Sequence, residues 1–98
     1  MPEPGHFVGI LHIDFRIPEA QSLKDKRMVL KSLKDRIRNN FNVSVSELDG
    51  HDKWQVATLG VAMIGNDTRH MDGYLQSVLS YCQKSTDMEI SNHQIEFV

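Results

Sequence analysis

SLKDKRMVLKSLKDRIRNNFNVSVSELDG, residues Ser22 to Gly50, changes its hydrophobic period at Asn40, and that change decides the fold. Before it, Leu23, Val29, Leu30, Leu33 and Ile37 fall within about 120° of arc at about 100° per residue, a core-facing helical stripe. Ser22 stands at the N-cap position with Asp25 three residues on, a short form of the capping box, so a helix is predicted from Leu23 and Asn39-Asn40 closes it. After it, Phe41, Val43 and Val45 alternate with Asn42, Ser44 and Ser46, which predicts a strand over Phe41–Leu48. Asp49-Gly50-His51-Asp52 then supplies turn residues, and Asp-Gly is a strong hairpin signal.

The flanks repeat the pattern. Upstream, His6–Ile17 alternates Phe7, Leu11, Ile13, Phe15 and Ile17 against Val8, Ile10, His12, Asp14 and Arg16, a strand with one core face that Pro18 ends. Downstream, Lys53–Ile64 is apolar at positions of both parities and is predicted as a central strand buried on two sides. Gly65-Asn66-Asp67-Thr68 offers Asn66 or Asp67 as a cap. Met71, Leu75, Val78, Leu79 and Cys82 then recur at helical spacing to about Gln83. Lys84–Asp87 links to Met88–Val98, whose Ile90, Ile95 and Phe97 predict a last, irregular strand. The order is βαββαβ: an α+β, ferredoxin-like sandwich in one domain over residues 1–98, with a four-stranded antiparallel sheet and both helices on one face. The other face, with Val8 and Ile10, is left uncovered and partly apolar.

A chain of 98 residues bounds the answer to one domain with one modest core. A single cysteine, Cys82, forms no intrachain disulfide, which suits a reducing compartment. No apolar run approaches the roughly 20 residues of a spanning helix, and Met1–His6 has no basic region before an apolar run. A cytoplasmic protein without membrane contact is therefore expected. The net charge is −2, yet Leu23–Asn40 holds seven basic against two acidic residues. A mildly acidic protein thus carries one basic element.

Lys24, Arg27, Lys31, Lys34 and Arg38 are spaced 3, 4, 3 and 4, which sets five cations within about 80° of one helix face. Like charges at these spacings repel, and Lys24 and Arg27 oppose the helix dipole. A bound polyanion offsets both costs, because cations and free amides at a helix start point at the same phosphates. The plain alternative is a solvated face with acids from Glu19 or the second helix nearby. His12, Asp14 and Arg16 read as the outer face of a half-exposed strand, and Glu47, Asp49, His51 and Asp52 as turn chemistry. Cys82 continues an apolar stripe as a core thiol, and Trp54 reads as core or hairpin packing, with base stacking as its alternative. There is no GxGxxG, Walker-type loop, CxxC, HExxH or KH-type GxxG, and no aromatic pattern of an RNA-recognition motif. No catalytic residue, metal ligand or cofactor is assigned.

The runs Val8-Gly9-Ile10-Leu11, Ser22-Leu23-Lys24-Asp25-Lys26-Arg27, Val29-Leu30-Lys31-Ser32-Leu33, Phe41-Asn42-Val43-Ser44-Val45, Trp54-Gln55 and Leu59-Gly60-Val61-Ala62 resemble the bacterial YlxP-like family, a domain of unknown function, over nearly the whole chain. Asp25 stands where that family usually has Glu, and Ile64-Gly65-Asn66-Asp67 where it tends to have Ser before Asn-Asp. The resemblance implies a ferredoxin-like fold and a cytosolic protein whose gene often lies near translation and ribosome-maturation genes, ribosome-binding factor A among them. It implies no activity and no catalytic residues. The leading expectation is a non-enzymatic module that contacts structured RNA, rRNA or a ribosomal subunit through Lys24, Arg27, Lys31, Lys34 and Arg38. The alternatives are a homodimeric protein-interaction module using the uncovered sheet face, and a small phosphate-handling enzyme at the loop Ile17–Gln21, as in ferredoxin-like acylphosphatases. That last reading lacks a glycine-rich cradle and places Glu19 against the substrate.

Overall fold

The computed structural model of the chain describes residues 5–98; Met1-Pro2-Glu3-Pro4, part of the stretch read as lacking a leader, lies outside the described residues. The elements are β1 (Phe7–Arg16), α1 (Leu23–Asn40), β2 (Ser44–Asp49), β3 (Val56–Gly65), α2 (Thr68–Gln83) and β4 (Glu89–Phe97). The strands form one antiparallel sheet in the order β2-β3-β1-β4, the expected ferredoxin-like arrangement. β1 and β3 pair along their full length, from Phe7↔Gly65 to Arg16↔Val56. β2 and β4 are the two edges.

One sheet face carries the core. Leu11, Ile13 and Phe15 of β1, Val45 of β2, and Ala57, Leu59 and Val61 of β3 pack against Leu30, Leu33 and Ile37 of α1 and Leu75, Val78, Leu79 and Cys82 of α2. Burying each large aliphatic chain contributes about 1.5–3 kcal/mol, so the alternation of β1 and the stripes of both helices set which way every element faces. Helix α1 starts as its sequence predicts. The Asp25 amide donates to Ser22 Oγ at 3.0 Å, while the Asp25 carboxylate accepts from the Gln21 amide at 3.0 Å, one residue upstream of the usual capping-box donor. At the other end the Phe41 amide donates to the Ile37 carbonyl at 2.8 Å. Of the two caps offered for α2, Asp67 serves, accepting from the Arg69 and His70 amides.

Four expectations are corrected. β2 begins at Ser44 rather than Phe41, because residues 41–43 are held by α2: Phe41 stacks edge-on against Tyr74 and Tyr81, and the Asn42 amide donates to the Tyr74 hydroxyl at 2.8 Å. β3 begins at Val56 rather than Lys53, since the Gly50 and Lys53 carbonyls are taken by a side chain of α1 and Gln55 Nε2 donates to the Pro18 and Ala20 carbonyls, both at 3.1 Å. β3 is not buried on two sides: among the described residues no layer covers the outer sheet face, and Ile64 on it is 70% exposed. Trp54 is 53% exposed in the β2–β3 loop and is no core residue. The last strand is irregular as expected, with a register shift against β1 at Asp14/Phe15.

Candidate polyanion-binding site

Helix α1 carries its charge on two faces that do different things. Lys26 lies on the core stripe, three residues after Leu23 and four before Leu30, and its side chain is 1% exposed. A buried ammonium needs partners, and the β2–β3 loop supplies them: Lys26 Nζ donates to the Gly50 carbonyl and, at 2.7 Å, to that of Lys53, and lies 3.0 Å from Glu47 Oε2. Glu47 reaches it because it follows Val45 by two on the core face of β2. Gly50 turns the loop at φ +83°, a conformation that favours glycine. The Lys26 anchor was missed in the sequence, although a lysine inside an apolar stripe was its signal.

The five candidate cations occupy the adjacent flank of α1, toward edge strand β2. Lys24, Arg27, Lys31 and Arg38 are exposed and Lys34 is half-buried. Arg27, Lys31, Lys34 and Arg38 line a shallow groove floored by Leu30, with Glu47 on its far wall. From Lys24 to Arg38 the ridge runs about 21 Å at about 1.5 Å per residue. One carboxylate, Asp35, stands in the cation row itself, and Glu47 lines the same groove from β2. Asp35 Oδ2 accepts from Lys31 Nζ at 2.8 Å, and its Oδ1 is 3.7 Å from Arg38 Nη1. The Lys31 hydrogen bond, followed by the charges of Lys31, Arg38 and Lys34, outweighs desolvation and holds the Asp35 carboxyl below its ordinary value of 3.8. Arg38 also donates through Nη2 to the Val45 carbonyl at 2.9 Å, covering an acceptor on β2. The acids beside the ridge therefore come from α1 itself and from Glu47 of β2, and not from Glu19 or α2. Among the described residues, Lys24, Arg27 and Lys34 have no ion-pair partner. The helix start offers less to an anion than its sequence suggested, because Ser22 and Asp25 cap it with a hydroxyl and a carboxylate.

The remaining candidates resolve into local structure. His12 Nε2 is 3.1 Å from Glu96 Oε1 on β4, while Asp14 Oδ1 accepts from Thr58 Oγ1 on β3 at 2.7 Å, so the two engage opposite neighbours rather than each other. Asp49 accepts from the Gly50 amide at 2.7 Å, as turn chemistry requires. Among the described residues no three His, Cys, Asp or Glu side chains converge to hold a metal ion. In the loop Ile17–Gln21 the Ala20 amide donates to the Ile17 carbonyl and the Gln21 amide to Asp25, so neither is free to hold a phosphate. Cys82 is buried on the core face of α2, and desolvation pushes its thiol up to about 11 against an opposing effect of Arg36. No described helix is long and apolar enough to cross a membrane.

The family model described as "Protein of unknown function (DUF503)" matches residues 8–95. "Uncharacterized protein YlxP" of Bacillus subtilis (strain 168) is 35% identical over 82 residues, which cover 84% of this chain and 89% of that relative. The resemblance seen in the sequence is borne out. Among solved structures, a de novo designed protein, Foldit4, superposes with a TM-score of 0.52 over 95% of this chain and 96% of its own, at 15% identity. That likeness is one of fold alone.

Proposed function

We propose that this chain, which belongs to the DUF503 family of unknown function, is a non-enzymatic module that binds structured RNA through the cations of α1. The observation that carries the reading is the ridge itself: five cations on one flank of one helix, moderated within the groove by Asp35, with the sixth nearby cation, Lys26, turned inward to its own partners. A ridge about 21 Å long meets several successive phosphates, and their release of counterions supplies affinity with little sequence preference. The cost of setting cations three and four residues apart, with Lys24, Arg27 and Lys34 lacking ion-pair partners among the described residues, is offset when phosphates arrive. Folded RNA in rRNA or a ribosomal subunit is the partner class this surface fits.

The test is binding to a structured RNA fragment and to purified small ribosomal subunits across a salt series, with Lys24→Glu/Arg27→Glu/Lys34→Glu as the comparison. Wild-type affinity should fall steeply with salt, and the triple variant should lose binding while keeping its circular dichroism. Equal binding by the folded variant, or no wild-type binding at low salt, removes the proposal.

A further inference from the structure

The sheet face opposite the helices is divided lengthwise. The outward side chains of β1 and β4 include His12, Asp14, Arg16, Glu89 and Glu96, whereas those of β2 and β3 include Ser44, Ser46, Leu48, Val56, Thr58, Ala62 and Ile64, with Gly60 among them. Asp49, at the end of β2, is the one acid on the neutral half, and its carboxylate turns back to the Gly50 amide. One end of the face is apolar, where Val8 pairs with Ile64; at the other Val56 stands beside Arg16, and Leu48 lies across Gly60 in the middle.

We infer that this face binds a second copy of the chain, related by a twofold axis that runs along the strands between β1 and β3. That axis lays β1 of one copy on β3 of the other and β4 on β2. Ile10 then meets Ala62, His12 meets Leu48 where it lies across Gly60, Asp14 meets Thr58, Arg16 meets Val56 and Glu96 meets Ser44. No like charges meet in this register, and Val8 meets Ile64 reciprocally. A twofold axis across the strands would instead set β4 on β4 and oppose Glu89 to Glu96. His12 and Asp14 each hold one hydrogen-bond partner within the chain, which lowers the cost of covering them. With β1 and β3 ten residues long, the face measures about 30 by about 19 Å at about 3.3 Å per residue and about 4.8 Å between strands. Two such faces cover about 1,100 Å² before side-chain relief adds to it, the size of weak and transient contacts rather than of stable complexes. The dimer is therefore concentration-dependent, and it leaves both α1 ridges open on its outer sides.

Sedimentation velocity from micromolar to millimolar concentration tests this. Wild type should shift from monomer to dimer, and Ile64→Asp should stay monomeric with unchanged circular dichroism and melting temperature. Under mild oxidation, Ile10→Cys chains mixed with Ala62→Cys chains should couple more readily than Ile10→Cys chains with one another. A monomer at every concentration overturns the inference, as does a dimer that persists in Ile64→Asp. Self-coupling of Ile10→Cys in preference to Ala62→Cys overturns the axis.

Discussion

Lys26 and Glu47 meet at 3.0 Å between a helix and an edge strand 21 positions later, and the same ammonium holds two carbonyls of the loop that follows Glu47. Glu47 Oε2 is fully buried and accepts no hydrogen bond from any described residue, so the Lys26 charge is what makes its burial tolerable. Lys26→Met should destabilise the domain by about 3–5 kcal/mol, the usual result of leaving one buried charge alone. The double variant Lys26→Met/Glu47→Met should lose clearly less than the two single losses added together. Urea denaturation measures both; additive losses would show that the pair is not coupled.

Asp35 moderates the ridge, and its removal should strengthen RNA binding. In Asp35→Asn, Lys31 and Arg38 are released from the carboxylate, so affinity should rise severalfold and the salt dependence should steepen. A filter-binding or anisotropy series in increasing salt reads both; weaker binding would show that Asp35 orders the cations rather than occupying them.

The same carboxylate has a pH signature. Its folded pKa lies below the ordinary 3.8, so its contribution to stability is present above that value and is lost as pH falls through the folded pKa. The difference in melting temperature between wild type and Asp35→Asn should be present at neutral pH and vanish in strongly acidic buffer. A carboxyl titration followed by NMR should place the Asp35 midpoint below 3.8.

Cys82 titrates in the opposite sense. Its thiol is raised from 9.0 to about 11 in the folded chain, so stability is unaffected below 9.0 and declines between 9.0 and about 11, where only the unfolded thiol ionises. Thermal melts over that range should fall more in wild type than in Cys82→Ala. The native thiol should resist aromatic disulfide reagents until denaturant is added.

Gly9 lies on the core side of β1 where a Cβ would stand 3.0 Å from Leu75 Cδ1 and 3.1 Å from Phe97 Cε1. Gly9→Ala should cost about 1–3 kcal/mol through overpacking of α2 against the sheet. A denaturation midpoint equal to wild type would mean that Leu75 and Phe97 give way freely.

Element order, both helix starts and the core face were legible because each rests on a local rule: the alternation of β1, the stripe from Leu23 to Ile37, the caps Ser22 and Asp67. The boundaries that moved did so for non-local reasons. Phe41–Val43 reads as strand but is claimed by Tyr74 and Tyr81 of α2, and Lys53–Gln55 reads as strand but gives its hydrogen bonds to Lys26 and to the Pro18–Ala20 loop. The apolar second face of β3 suggested burial, yet a sequence does not say whether a second layer exists to cover Ile64. The ridge was legible as periodicity in charge. Its partners were not: Asp35 was visible four residues from Lys31, but the hold of Arg38 on the Val45 carbonyl depends on how closely α1 approaches β2.

The sheet order also fixes when the fold can form. β1 is the first element in the chain and lies inside the sheet, yet its neighbours are residues 56–65 and 89–97. During synthesis it must wait, with both edges unpaired, until most of the chain exists. Folding then depends on closing two long loops as well as on local helix formation, which sets the expected rate between those of helical bundles and all-β domains. In that interval the apolar alternation of Leu11, Ile13 and Phe15 is the segment most exposed to wrong pairing, and the nascent chain, not the finished domain, is where a chaperone would act.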